Sequence, residues 1–340
     1  MRRLRVGVLG LGRIGRLHVE NLVRRVQEAQ VYAVCDVVAV NARRCAKQLN
    51  IPKVYDDPGQ LIADPDVEAV LICTPTDTHA DLIIAAARSG KHIFCEKPIA
   101  QKLEDVDRAI SAVKKSGVTF MVGFNRRFDP NFAKAKELLS SGAIGKPEVL
   151  KITSRDPGLP SLDYICRSGG IFLDMTIHDL DMACFLLEDE VVEVYAVGEA
   201  LVDPRIKDVG DVDTAIVTLR FRNGAVGVID NSRRAVYGYD QRIEILGEKG
   251  MILVENPRPH TVALWNTAGE NGSTLYAFFM DRYSEAFVRE IQAFVSAILR
   301  GDAPPISGAE GRRAVLLALA AEKSLKEKRP VRPAEVDPGR

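Results

Sequence analysis

The chain has no surplus of either charge: 46 Lys and Arg residues face 46 Asp and Glu residues across 340 positions, a formal net charge of zero. Nucleic acid and anionic membranes both require a positive field. They are therefore poor partners here, and neither a basic patch nor a helix-turn-helix pattern compensates. No run approaches the roughly 20 apolar residues that a membrane span requires. Arg2 and Arg3 precede apolar residues as in an export signal, but Gly10, Gly12 and Arg13 interrupt the run too early. The six cysteines, Cys35, Cys45, Cys73, Cys95, Cys166 and Cys184, include no C-x-x-C pair and none of the usual zinc spacings. They read as small core residues in a reducing compartment. Internal repeats and low-complexity segments are missing as well. The expectation is a cytoplasmic protein that handles a small ligand and binds neither nucleic acid nor membrane.

What is present fits a globular enzyme: 46% hydrophobic and 27% charged residues, in a chain long enough for two domains. Over residues 4–124, β-rich runs at 4–9, 31–36, 67–74, 92–95 and 118–124 alternate with helical periodicity. Two of the helices, 78–89 and 103–116, stop at Gly90 and Gly117. That order predicts a parallel, doubly wound α/β sheet. Beyond residue 125 the texture changes. A helix at 131–140, a strand at 148–154, an irregular Pro/Gly stretch to Gly170 and a helix at 172–187 precede strand-like runs at 191–198, 214–221, 225–231, 242–246, 251–255 and 261–265. This predicts an α+β domain with a mostly antiparallel open sheet. Helices at 284–299 and 309–326 close the chain and are expected to pack back on the first domain, with little regular structure after Pro330. The expected domains are residues 1–124 and 125–340.

The clearest motif is Gly10-Leu11-Gly12-Arg13-Ile14-Gly15, placed where the first apolar run ends and a helix pattern begins, with Asp36 closing the next run. Glycines there let the backbone turn sharply and approach a pyrophosphate at a helix N-terminus, and the acid suits ribose hydroxyls. This predicts dinucleotide binding. Val37 follows Asp36 where a 2′-phosphate site would want a cation, which favours NAD over NADP.

Three further segments carry chemistry: Cys95-Glu96-Lys97-Pro98, Gly123-Phe124-Asn125-Arg126-Arg127-Phe128, and the stretch from Gly169-Gly170 through Asp174 to His178-Asp179. With the glycine fingerprint, they resemble the Gfo/Idh/MocA oxidoreductase family along nearly the whole length. The segments 76–79 (TDTH), 124–129, 210–215 (GDVDTA) and 231–241 (NSRRAVYGYDQ) are similar to the inositol branch of that family. The resemblance implies a Rossmann domain, NAD, a polyol substrate and a homotetramer. It implies oxidation of myo-inositol to 2-keto-myo-inositol, with a glucose-type sugar or another inositol isomer as the alternative substrate. It makes Lys97, Asp174 and His178 the catalytic group and adds Thr74, His79, Glu96 and Lys97 to the cofactor contacts. Arg127, Asp156 and Tyr237, along with Lys97, Asp174 and His178, become candidate substrate contacts; Gln241 is a further candidate.

The residues allow chemistry of this kind. Asp174 and His178 stand four apart, so on a helix the carboxylate can accept one ring N–H and leave the other nitrogen free to take a hydroxyl proton. Lys97 can stabilise negative charge developing on oxygen. A metal site from Asp174, His178 and Asp181 is a weaker alternative, because alcohol oxidation by hydride transfer needs only a base and the cofactor. A nucleotide-binding sensor without turnover is another, disfavoured because all three chemical residues are kept. The sequence departs from the family pattern at Cys166-Arg167, where a Lys-containing turn is expected, and at Cys184, where arginine is common.

Overall fold

The computed structural model describes residues 2–337. In chain order the first elements are β1 (Leu4–Leu9), α1 (Arg13–Arg25), β2 (Ala29–Cys35), α2 (Ala39–Leu49), β3 (Lys53–Tyr55), α3 (Pro58–Ala63), β4 (Ala69–Ile72), α4 (His79–Arg88), β5 (His92–Glu96), α5 (Leu103–Ser116) and β6 (Phe120–Gly123). Then follow α6 (Pro130–Ser140), β7 (Pro147–Arg155), α7 (Leu162–Ser168), a π-helical turn (Phe172–Thr176) running into α8 (Ile177–Leu187), β8 (Val191–Glu199) and α9 (Arg205–Asp208). The remainder is β9 (Thr214–Phe221), β10 (Val226–Ser232), β11 (Asp240–Gly247), β12 (Gly250–Val254), the hairpin β13 (Leu264–Asn266) and β14 (Gly269–Asn271), α10 (Phe279–Arg282), α11 (Ser284–Arg300) and α12 (Gly308–Glu327).

Two compact units result. One comprises residues up to Phe128 together with Glu285–Val315; the other comprises Asp129–Ser284 and the chain from Leu316 onward. The chain crosses from one to the other three times, and α12 begins in the first unit and ends in the second.

In the first unit all strands run parallel in the order β3-β2-β1-β4-β5-β6, a doubly wound sheet. Its central strands are buried on both faces; β4 (AVLI) has no exposed residue, as a parallel sheet covered by helices requires. α1 buries His18, Val19 and Leu22 along one side. α11 also belongs to this unit. Phe287 meets the His18 ring edge-on at 5.8 Å, and Phe294 packs on Phe94.

The second unit carries a six-stranded sheet in the order β12-β11-β7-β10-β9-β8. All its pairings are antiparallel except β10 with β7, which run parallel with Asn231 opposite Ser154. β9 alternates buried and exposed residues, the mark of a sheet covered on one side. Val197, Ile216, Val226, Leu246, Met251 and Leu253 lie on its open face.

Several expectations need correction. β3, a three-residue KVY strand, and the flanking α2 and α3 escape the sequence reading because Pro52 and Asp56-Asp57 mimic a loop. The irregular stretch before Gly170 contains α7, capped by Ser161, whose hydroxyl accepts from the Tyr164 N–H. The strand expected at 261–265 is a separate hairpin outside the main sheet. The tail after Pro330 does have little regular structure, one 3-10 turn at Pro333–Glu335, yet it is anchored: Val331 bridges Val194, and Arg332 N–H donates to Glu335. Residues 338–340 lie outside the described residues. All six cysteines are free thiols, and among the described residues no helix is long and apolar enough to cross a membrane.

Candidate active site

In the first unit the glycine turn sits at the switch point between β1 and β4. Gly10 has φ 85°, and a Cβ there would lie 2.7 Å from the Cys73 carbonyl oxygen; at Gly15 it would lie 1.9 Å from the Gly10 carbonyl oxygen. Side chains are excluded so that α1 can pack against the turn. Gly12, the N-cap of α1, has nothing within 4 Å of its Cβ position, leaving a bare backbone surface at a helix start. Asp36 follows β2 and is braced on both oxygens: Leu11 N–H donates to Oδ2 at 2.7 Å and Val38 N–H to Oδ1 at 2.8 Å. A bare helix N-terminus for a pyrophosphate beside an oriented carboxylate for a ribose diol fits a dinucleotide. Arg13 and Ile14 open the helix at this point.

Thr74 follows β4. Thr78 donates its hydroxyl hydrogen to the Pro75 carbonyl, so Thr74 is the donor in the 2.7 Å bond between the two threonines. His79 is buried, with Nδ1 2.8 Å from the Pro98 carbonyl and Nε2 2.8 Å from the Thr74 carbonyl. Burial pushes its pKa below the ordinary imidazole value. A neutral imidazole donates to one of these two carbonyls, and the ring lies between the loops that follow β4 and β5. Glu96 ends β5 and Lys97 follows directly, at the fifth strand in chain order rather than the fourth, because β3 precedes it. Arg127 falls in this unit, on a 3-10 turn at Asn125–Phe128, and its charge acts on Glu310 at the start of α12.

The second unit gathers its polar residues where the parallel strands β7 and β10 end. Asp174 lies on the π turn, whose i to i+5 bonding replaces the regular α geometry expected for the Asp174–His178 spacing. Its carboxylate is held from outside the helix. The Tyr164 hydroxyl donates to Oδ1 at 2.8 Å, and Arg233 donates from Nη2 to Oδ2 at 3.1 Å. Arg233 is 1% exposed. Although Tyr164 is 49% exposed as a whole, desolvation of its hydroxyl and then the nearby Asp174 charge push the phenol above its usual pKa, so it stays a donor at neutral pH. Asp156 also acts on Tyr164. Its backbone carbonyl accepts from Ala235 N–H, which ties the end of β7 to the 232–235 loop.

Tyr237 accepts from Arg155 at 3.0 Å and donates to Asp240 at 2.7 Å. Gln241 is buried and accepts from Ser154 at 3.0 Å, so it belongs to the sheet interior. Asn231 links three elements. It accepts from Thr176 at 2.6 Å and donates to Asp179 at 2.8 Å and to the Ser154 carbonyl at 3.2 Å, pinning the helix that carries His178 to β10 and β7. Gly170 has φ 80°, and a Cβ there would meet Asp211 at 2.9 Å; Asp211 accepts from Ile171 N–H just ahead of the π turn. Tyr164 and Arg233 were not singled out from sequence. Arg233 lies inside the NSRRAVYGYDQ segment, whereas Tyr164 is hidden in a stretch that reads as loop.

A glycine-lined nucleotide cradle in one unit and a braced carboxylate four residues ahead of a histidine in the other define a dinucleotide-dependent oxidoreductase. The family model "oxidoreductase family, NAD-binding Rossmann fold" matches residues 4–124, and the "GFO/IDH/MocA C-terminal domain" matches 132–253. The chain is 54% identical to the myo-inositol 2-dehydrogenase of Thermotoga maritima over 98% of its own length and 99% of that protein's. It is 46% identical to the inositol 2-dehydrogenase of Rhizobium meliloti over 96% and 98% of the two chains. Its fold matches the scyllo-inositol dehydrogenase of Lactobacillus casei with bound NAD(H) and scyllo-inositol, at a TM-score of 0.93 and 29% identity, covering 98% of this chain and 100% of that one. The chain belongs to the Gfo/Idh/MocA family and is an NAD-dependent oxidoreductase.

Proposed function

We propose that the chain oxidises the axial hydroxyl of myo-inositol to give 2-keto-myo-inositol (scyllo-inosose). The observation that carries this reading is the cluster at the ends of β7 and β10, where Tyr164 and Arg233 brace Asp174 ahead of His178 and Asp156 and Tyr237 stand near. A ring of hydroxyls needs many polar partners, and this sheet end supplies them. The relatives' names support the same substrate class.

In this reading His178 takes the hydroxyl proton and Asp174 supports the imidazolium that forms. Lys97 hydrogen-bonds the reacting oxygen and stabilises charge as the O–H bond breaks and the C=O bond forms. Bound NAD supplies the acceptor for the hydride that leaves carbon. Gly10, Gly12, Arg13, Ile14, Gly15, Asp36, Thr74 and Glu96 hold and orient it, with His79 clamping the loop beneath. Arg127, Asp156 and Tyr237 read the remaining hydroxyls.

The chain works in this reading as a cytoplasmic homotetramer, with the apolar residues on the open face of the second sheet covered by a partner subunit; light scattering of the purified protein tests the subunit number. Measuring kcat/KM for myo-inositol, scyllo-inositol, glucose and a short diol at one NAD concentration tests the substrate. Myo-inositol is expected to lead and the diol to be poor, and a clear preference for glucose overturns the assignment.

A further inference from the structure

The core of the first unit contains a titratable cluster that joins Glu96, a proposed cofactor contact, to two groups that the proposed reaction does not use. His18 on α1, Glu96 at the end of β5 and Glu290 on α11 bring a ring nitrogen and carboxylate oxygens within 4.8 Å of one another. His18 Nε2 lies 2.8 Å from Glu96 Oε1 and 3.9 Å from Glu290 Oε1. His18 and Glu290 are both fully buried. Neither oxygen of Glu290 has a hydrogen-bond partner, and the same is true of His18 Nδ1 and of Asn21 Nδ2 one turn further along α1.

A carboxylate sealed in this way, with aromatic rings about the cluster and a second carboxylate beside it, is costly as an anion and acceptable as a neutral acid. Burial, then the Glu96 charge, push the Glu290 carboxyl well above the usual range. The other titratable groups here are His18 on α1, Cys95 on β5 and Cys73 after β4; burial raises both thiols far enough to keep them neutral. A metal ion is the rival occupant. His18, Glu96 and Glu290 offer it ligand atoms within 4.8 Å of one another, so the response to a chelator decides between a metal ion and a proton.

We propose that Glu290 carries a proton into the His18–Glu96 pair and so acts as a positioning residue for Glu96 and for the Lys97 that follows it. The role in positioning rests on the proposed function of Lys97; the protonation state does not. A carboxyl that holds its proton in the folded protein and releases it near the ordinary value of about 4.3 when unfolded lowers stability as pH rises above that value. E290Q keeps a neutral side chain and has no proton to lose.

Melting temperatures of parent and E290Q across pH 5 to 9 test the protonation state. They are expected to converge at pH 5, with E290Q melting several degrees higher at pH 9. An E290Q protein that melts lower at every pH makes Glu290 an ionised partner of His18 and overturns the proposal, as does a parent protein whose melting temperature falls on chelation. For positioning, E290A is expected to lose roughly tenfold or more in kcat at saturating NAD, the scale of a displaced catalytic group, with E290Q restoring it. The alkaline limb of kcat/KM should flatten in E290Q. A folded E290A with parental kcat and pH profile refutes the positioning role. If the parent itself turns over no polyol, the proposed function fails while the melting comparison still decides the protonation state.

Discussion

Replacing Arg233 by methionine tests the brace on Asp174 most directly. Arg233 is the largest fully buried side chain among the described residues, and its ion pair with Asp174 leaves the two side chains 2% and 12% exposed. R233M keeps much of the packing volume but takes the guanidinium away from a carboxylate that the Tyr164 hydroxyl still contacts. Removing one partner of a buried pair costs about 3–5 kcal/mol, most of it from the charge left behind. For a unit of this size, about 2–4 °C per kcal/mol gives a fall in melting temperature of roughly 6–20 °C. Removing both charges in D174N/R233M cancels that penalty, so the double variant should be no less stable than R233M alone, with a coupling of about 1–3 kcal/mol. Thermal unfolding by circular dichroism at pH 7 measures all four proteins. A loss under 2 °C in R233M, or strictly additive effects, refutes the view that this pair holds Asp174 in place.

Asp36, braced by Leu11 and Val38, should make the enzyme prefer NAD over NADP by roughly a hundredfold in kcat/KM, because a 2′-phosphate would meet a like charge; D36A should erase most of that ratio, and comparable efficiency of the parent with both cofactors would sink the assignment. H178N and K97M should each lower kcat on order 10²–10⁴ while NAD affinity, read by fluorescence titration, stays near parental; near-normal turnover in both moves the chemistry elsewhere. The Asp64 pKa is held down to about 2, against its burial, by Lys53, the Asp66 N–H and Tyr55. Depressed below its unfolded value, this group adds stability above about pH 4 that disappears as pH falls toward 2. The urea midpoint of the parent should therefore drop over that range more than that of D64N, and parallel curves contradict the linkage.

The first unit was legible because its signals are local. A strand, a glycine turn and a helix lie within 25 residues, and Asp36 ends the next strand at the expected distance. β3 was not, since three residues between Pro52 and two aspartates carry no period to read. Asp174 and His178 stood out by spacing, but the partners that orient Asp174 come from positions 10 residues earlier and 59 later. Only the fold brings them together. The π turn is invisible in sequence for the same reason: Phe172-Leu173-Asp174-Met175-Thr176 has an ordinary helical composition, and its geometry follows from neighbours such as Asn231 and Asp211. The Glu290 cluster combines three distant segments, and Glu290 alone reads as one more acid on an amphipathic helix.

The first unit is discontinuous, since residues 129–284 intervene before α11 supplies Phe287, Glu290 and Phe294 to it. During synthesis the glycine turn emerges first, but the core of its unit must wait for its last helix. At about 5–20 residues per second, the intervening segment delays that helix by roughly 8–30 s. Closing so long a loop costs on the order of 4 kcal/mol in chain entropy unless the second unit folds first and shortens the path. A nascent chain arrested at residue 128 should therefore show an exposed apolar surface around His18 and Phe94, a substrate for chaperones, and the same surface should vanish once α11 leaves the ribosome.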